Sequence, residues 1–152
     1  MRVTAKVDYT VRAAIELADA DRKNPVKGER IAREQDIPMK YLENILGELK
    51  RSGLVGSQRG AEGGYWLARP ADRITVAELI RAVEGPLANV RGVRPEAAEF
   101  AGSAVPLQRM WVCVRASLRS VLEVVTVADL VAGKLPPEVD ILADSPEAWQ
   151  PH

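Results

Sequence analysis

The sequence predicts a mainly α-helical fold with one small β-hairpin. Three observations predict it. Apolar residues recur at helical spacing over most of the first 84 positions. A single glycine-rich turn, Arg59-Gly60-Ala61-Glu62-Gly63-Gly64, lies between two short apolar runs. A third apolar series repeats at alternating steps of four and three residues between Leu107 and Val125. These are the sequence signatures of amphipathic helices, a hairpin and a helix with an elongated seam.

The first helix is expected from Val3 to about Ala20, where Val7, Val11, Ala14 and Ala18 form a stripe flanked by Tyr9, Ala13 and Leu17. So broad a stripe suits a helix buried on more than one side. The polar stretch Asp21-Arg22-Lys23-Asn24-Pro25 ends it, and a short helix follows from Gly28 to Gln35. Pro38 suits the start of the next helix, because its missing N–H costs nothing there. That helix runs from Met39 to Ser52, with Leu42, Ile45, Leu46 and Leu49 on one face and Gly53 just past its end. Two helices joined by so short a link make a helix-turn-helix. Leu54 to Gln58 and Tyr65 to Ala68 then read as the strands of a wing. Thr75 and Glu78 have the spacing of a capping box opening a helix that ends at Glu84, before Gly85-Pro86.

Residues 86–106 carry little periodicity and are expected to be a long loop. Leu107, Trp111, Val114, Leu118, Val121 and Val125 are the candidate dimerisation seam on the helix that follows. A short helix opens at Thr126-x-x-Asp129, and residues 135–152, with four acids, four prolines and no Lys or Arg, are expected to be a frayed tail. The expected organisation is a winged helix-turn-helix domain over 1–85, a loop over 86–106, a dimerisation helix and short helix over 107–134, and an acidic tail.

Composition narrows the function. The 152 residues carry 21 Lys/Arg and 21 Asp/Glu, a formal net charge of zero. Residues 1–70 hold 13 basic against 10 acidic residues, and residues 71–152 hold 8 against 11, so one half suits a polyanion better than the other. One cysteine, Cys113, excludes an internal disulfide, and one histidine, His152, leaves no His/Cys metal cage and no Ser/His/Asp or Cys/His catalytic set. An enzyme is not expected. Neither a membrane span nor the apolar core of a signal peptide is visible, so a cytoplasmic protein is expected.

The apolar face of 39–52 leaves Lys40, Glu43, Asn44, Gly47, Glu48, Lys50 and Arg51 outward. Asn can bridge the N6/N7 edge of adenine and Glu can accept from cytosine N4 in a major groove, whereas Lys and Arg reach phosphates. Such residues also populate ordinary solvated helix faces. Arg59, on the shoulder of a hairpin with glycines at 60, 63 and 64, suits a minor groove, though Glu62 at the tip has the wrong sign. The order helix, turn, helix, basic hairpin is more specific than either part and points to double-stranded DNA. The zero net charge and Glu62 keep open a winged-helix adaptor that docks a protein instead.

Tyr41-Leu42-Glu43-Asn44-Ile45-Leu46, Gly53-Leu54-Val55 and Arg59-Gly60-x-x-Gly63-Gly64-Tyr65-x-Leu67-Ala68-Arg69-Pro70 carry a family likeness. Met1-Arg2-Val3-Thr4, Asp8-Tyr9, Ile74-Thr75, Ala82-Val83-Glu84-Gly85-Pro86 and Thr126-Val127-Ala128-Asp129-Leu130 agree with it. Over roughly residues 1–132 the chain resembles the IscR/NsrR-type (Rrf-two) family of bacterial winged-helix transcriptional regulators. The resemblance implies a homodimer on an imperfect palindrome, a long helix crossing to the other subunit, and Lys40, Glu43 and Asn44 facing bases. It implies Arg59 and Gly60 near the minor groove and Arg2, Thr4 and Lys6 near the backbone. With Met39, Tyr41, Lys50, Arg51, Gly63 and Gly64, these form the candidate DNA-binding set.

The best-known members of that family hold an iron–sulfur cluster on three cysteines in the loop before the dimer helix. Residues 86–106 contain none, and Asp8, which matches a cluster ligand of nitric-oxide-sensing relatives, cannot hold a cluster alone. No cofactor is expected. A small apolar effector near residues 86–111, or a thiol switch at Cys113, are the candidate inputs.

Overall fold

The computed structural model describes residues 2–151; His152 lies outside them. Seven α-helices are described: α1 (Ala5–Glu16), α2 (Gly28–Gln35), α3 (Met39–Arg51), α4 (Val76–Glu84), α5 (Pro106–Leu122), α6 (Val127–Ala132) and α7 (Pro137–Ala143). Strands β1 (Val55–Gln58) and β2 (Gly64–Leu67) pair antiparallel with Val55 opposite Leu67 and Gln58 opposite Gly64. The fold is mainly α with a small β-hairpin, as the periodicity predicts.

α1 is shorter than its apolar stripe. Thr4 is its N-cap, its hydroxyl accepting from Val7 N at 3.2 Å, and the chain turns after Glu16. Between α2 and α3, Asp36 takes a left-handed conformation (φ 50°) and the Ile37 amide donates to Ala32 O. This compact reversal lets Ile31 and Ile37 meet Leu42, Ile45, Leu46 and Leu49 in one core with Leu17, Ile74 and Leu79. α3 thus spends its whole apolar stripe on the domain and leaves the other side free.

The wing is anchored. Val26 N donates to Tyr65 O at 2.9 Å and Tyr65 N returns the bond to Val26 O at 2.8 Å, so the segment before α2 borders β2. Two glycines serve this closure. A Cβ on Gly63 would stand 2.2 Å from Gln58 O, and one on Gly64 2.6 Å from Val26 O. These two glycines let the protein's own backbone approach closely.

A second backbone pairing ties the far end of the chain to the domain. Val76 N donates to Val125 O at 2.9 Å and Val127 N to Ile74 O at 3.0 Å. Thr75 and Thr126 therefore stand side by side, each the N-cap of a complete capping box with Glu78 or Asp129. Val127 is fully buried in the main core. The short helix that follows the seam therefore packs on the winged domain, not with the long helix as a separate unit.

Two expectations need correction. Val125 is not on the seam: α5 ends at Leu122, and Val125, 5% exposed, packs with Val76 and Val139 in a second apolar cluster. The tail is not wholly frayed: Val139 is 6% exposed in that cluster with Leu135 beside it, and Pro136-Pro137 opens α7. One buried valine with a proline start makes an anchored turn that acid and proline counts conceal. The 86–106 segment is irregular as expected, but not loose. Arg91-Gly92, both at positive φ, close a tight turn between Val90 and Val93, and Pro95 and Ala98 are buried.

The rest of the expected seam is largely covered by the chain itself. Trp111, Val114, Leu118 and Val121 are half-buried against the chain's own segments, and Leu107 alone of the set is exposed. The open face of α5, continued by Val124 just beyond its end, carries Met110, Cys113, Ser117, Ser120 and Val124, again at steps of three and four.

Thr75→Ala or Thr126→Ala should cost about 1 kcal/mol of stability, measured by urea unfolding, because each leaves an N-terminal amide without its acceptor. Hydrogen bonds from Thr126 hold the Asp129 carboxyl below the usual range. At Glu78, bonds from Arg69 and Thr75 outweigh the opposing effect of burial and likewise lower it. Both depressed groups contribute stability above the ordinary carboxylate range. That contribution should be lost as pH falls through that range toward the lower folded values, and Thr126→Ala should show a shallower acid limb.

Candidate nucleic-acid interface

α3 stands proud as a ridge between two clefts. The first, of about 450 Å3, separates it from the wing and is bordered by Lys27, Glu29, Glu43, Lys50, Gln58 and Arg59. The second, of about 380 Å3, lies on the α1 side between Lys6, Tyr41, Asn44, Glu48 and Arg51. Glu43 and Gly47 border both and so form the crest.

Charge on this surface is unspent. Lys27, Lys40, Lys50, Arg51 and Arg59 are exposed and make no ion pair among the described residues. Against them stand Glu29, Glu43 and, at the wing tip, exposed Glu62. Free basic side chains around a protruding helix suit a phosphate backbone, which rewards charge without demanding sequence.

Gly47 is informative for what it does not touch. Placed mid-helix, it costs about 0.5–1 kcal/mol relative to alanine. Yet a Cβ there would meet only Arg51 Nη1, at 3.5 Å, an ordinary contact. No internal packing calls for glycine at the crest.

The other candidate residues divide. Lys40, Glu43, Asn44, Lys50 and Arg51 face outward on α3, and Arg59 and Gly60 (φ 106°) lie exposed at the wing. Arg2 is exposed before α1. Tyr41 is 41% exposed, its ring edge-on to Tyr9 at 5.6 Å, over which Arg12 lies at 4.8 Å. Met39 is half-buried, its Cε 3.0 Å from where a Gly28 Cβ would be, so it packs inward. Lys6 is engaged: its ammonium donates to Glu48 Oε1 at 3.0 Å and to Val83 O at 2.7 Å. Thr4 is occupied by its cap and by donation to Glu84 Oε1 at 2.8 Å. Gly63 and Gly64 are buried in the wing's base. These last four position the surface more directly than they present it.

Lys27 was not among the sequence candidates. It is the N-cap of α2 with no side-chain cap bond, and the Val26–Tyr65 pairing sets it opposite Arg59 across the wing cleft. A basic residue directly before Gly28 was visible in sequence; the β-pairing that swings it to the wing was not.

The protein matches the model of the Rrf2 family, described as iron-dependent transcriptional regulators, over residues 3–133. The chain belongs to the Rrf2 family. It is 44% identical over 150 residues to Rv1287 of Mycobacterium tuberculosis H37Rv, whose name places it among helix-turn-helix transcriptional regulators, covering 99% of this chain and 93% of that one. CymR of Bacillus subtilis is 33% identical over 133 residues, 87% of this chain and 91% of that one. The solved structure of CymR, titled the global cysteine regulator of B. subtilis, superposes with a TM-score of 0.73 at 32% identity, covering 88% of this chain and 98% of that one. IscR of T. potens superposes with a TM-score of 0.67 at 32% identity, over 100% of this chain and 93% of that one. As an Rrf2 protein the chain is a DNA-binding winged helix-turn-helix transcriptional regulator and not an enzyme. Among the described residues no helix is long and apolar enough to cross a membrane.

The family's iron does not fit the donors present. Among the described residues no three His, Cys, Asp or Glu side chains gather as a metal site. The 86–105 segment offers arginines and glutamates in place of thiolates, Cys113 is exposed on α5, and Asp8 is paired with Arg12 at 2.6 Å.

Gly47→Ala should raise stability to urea by about 0.5–1 kcal/mol while weakening DNA binding, measured by fluorescence anisotropy. A stabilised variant with undiminished DNA affinity would show that the crest does not approach the duplex.

Proposed function

We propose that this Rrf2 protein acts in the cytoplasm as a homodimeric repressor or activator on an imperfect palindrome, without an iron–sulfur cluster. The carrying observation is the α3 crest, bare at Gly47 and flanked by unpaired Lys27, Lys40, Lys50, Arg51 and Arg59. Asn44 and Glu43 project from that crest with the chemistry to read adenine and cytosine edges. Arg59 on its anchored hairpin enters the adjoining minor groove, where narrow width concentrates negative potential. The free cations on this face, and the family's regulators, favour DNA over a docked protein as the partner.

Pairing is assigned to the open side of α5. Met110 and Val124 are each over one-third exposed at the two ends of a face whose middle is Cys113, Ser117 and Ser120. Small residues there let a second helix approach closely. Pairing would enclose Cys113 as a compact filler instead of leaving it a reactive thiol. Half-sites would then lie about one helical turn, or a multiple, apart.

Sequencing the genomic fragments that the purified protein retains tests the reading directly, and a two-fold motif is the expected outcome. Combined Lys40→Glu and Arg59→Glu should abolish retention with the fold intact by circular dichroism. For the parent protein, log K should fall linearly with log salt, by about 0.9 per phosphate contacted. Affinity indifferent to salt and to both charge reversals would overturn it. Ser117→Arg should convert the protein to monomers in sedimentation experiments; unchanged mass would place the pairing face elsewhere.

A further inference from the structure

Between α4, the 86–105 segment and α5 lie two adjoining hollows. One, of about 300 Å3, is lined chiefly by carbon, from Leu87, Val90, Pro95, Trp111 and Val114. The other, of about 440 Å3, shares Leu87 and Ala88 with it and is bordered by Arg81, Arg94, Arg115 and Arg119, with Glu96. An apolar chamber thus opens beside a cationic one.

The charge there is not balanced. Arg81 and Arg119 both pair with Glu123, and Arg115 pairs with Glu96. Arg94 is exposed and has no ion pair among the described residues. Four guanidiniums meet two carboxylates, a local excess of two positive charges in a chain of zero formal charge. A guanidinium has five N–H donors in a planar fork, so those sharing one carboxylate keep donors to spare. Like charges gathered on one wall repel until an anion joins them.

Both chambers fall in the size range of small-molecule sites. A purely apolar ligand would leave Arg94 without a carboxylate, and a bare inorganic anion would leave the Trp111 chamber empty. We propose that the two hollows form one binding site for a small amphipathic organic anion, its carboxylate held by Arg94 and Arg115 and its ring or short acyl chain lying against Trp111 and Val114. Arg81 of α4 borders the same hollow as Arg115 and Arg119 of α5, so the site lies where the DNA-binding unit meets the pairing helix. The regulatory consequence rests on the DNA-binding reading above; the binding itself does not.

Isothermal titration calorimetry of the full chain without DNA tests the site, using phenylacetate and octanoate as probes, with phenylethanol and sulfate as controls. Both carboxylates should bind at least about tenfold more tightly than either control, the order of one charge-assisted hydrogen bond. Arg94→Gln should lose about tenfold for the carboxylates and nothing for phenylethanol. Ala88→Phe, which fills the shared wall, should block them with the melting temperature retained. Equal binding of phenylacetate and phenylethanol, no heat from either carboxylate, or full affinity in both variants would overturn the site. In a separate arm, phenylacetate should shift the anisotropy titration of a selected operator in the parent and not in Arg94→Gln. Binding without such a shift overturns the regulatory role. Failure to retain any DNA, with carboxylate binding intact, sinks the DNA-binding reading and leaves the site standing.

Discussion

The structure hinges on a short backbone pairing in which residues 74–76 meet residues 125–127. Two amide-to-carbonyl bonds, Val76 to Val125 and Val127 to Ile74, bring the chain home after an excursion of about fifty residues. Because the chain returns there, α6 can complete the core under α1, and Val125 can share an apolar cluster with Val76 and Val139. Because both strands of the pairing begin helices, Thr75 and Thr126 become neighbouring caps. The 86–105 segment and α5 are the loop of chain held out between those fixed ends. α5 is thereby tethered at its C-terminal end, where Glu123 also takes Arg81 and Arg119.

The opposite side of the domain follows a different constraint. α3 buries Leu42, Ile45, Leu46 and Leu49 completely, and its Lys40, Glu43, Asn44, Lys50 and Arg51 pair with no other side chain among the described residues. Elsewhere several charged side chains are engaged: Lys6 on Glu48, Arg12 on Asp8 and on Gln35 O, Arg69 on Glu78. Around α3 and the hairpin, Lys27, Lys40, Lys50, Arg51 and Arg59 stay unpaired among the described residues. Of the anchored wing, these cations and the mid-helix Gly47, only the glycine carries a stability cost, about 0.5–1 kcal/mol relative to alanine.

Most of this was legible in residue order because local rules and global fold agree. The helix-turn-helix announced itself through Pro38, the α3 stripe and Gly53, and both capping boxes through spacing alone. The failures share one cause, which is that periodicity does not say what a stripe faces. In the Leu107-to-Val121 stripe, Trp111 and Val114 cover the chain's own Leu87, Val90 and Pro95, and Val121 packs with Val76, Val125 and Val139, leaving the smaller residues of α5 outward. Val125 kept the register of that stripe after the helix had ended. Lys6 and Thr4 read as free polar groups, yet Glu48, Val83 and Glu84, over forty residues away, claim them. Gly63 and Gly64 signalled a tight turn correctly, while the neighbour that Gly64 accommodates, Val26, could be found only in three dimensions.

The double bond between Val26 and Tyr65 has a mechanical meaning. A hairpin attached only through its own ends could swing on its hinge; this one is latched to the segment that leads into α2. Levering it free would break two backbone hydrogen bonds, each worth about 0.5–1.5 kcal/mol net, and bring Gly64 out of its seat against Val26. Head and hairpin therefore translate as one rigid tool with a fixed bite. An input arriving through α5 has little purchase on the shape of that tool, and works instead by setting where it is held.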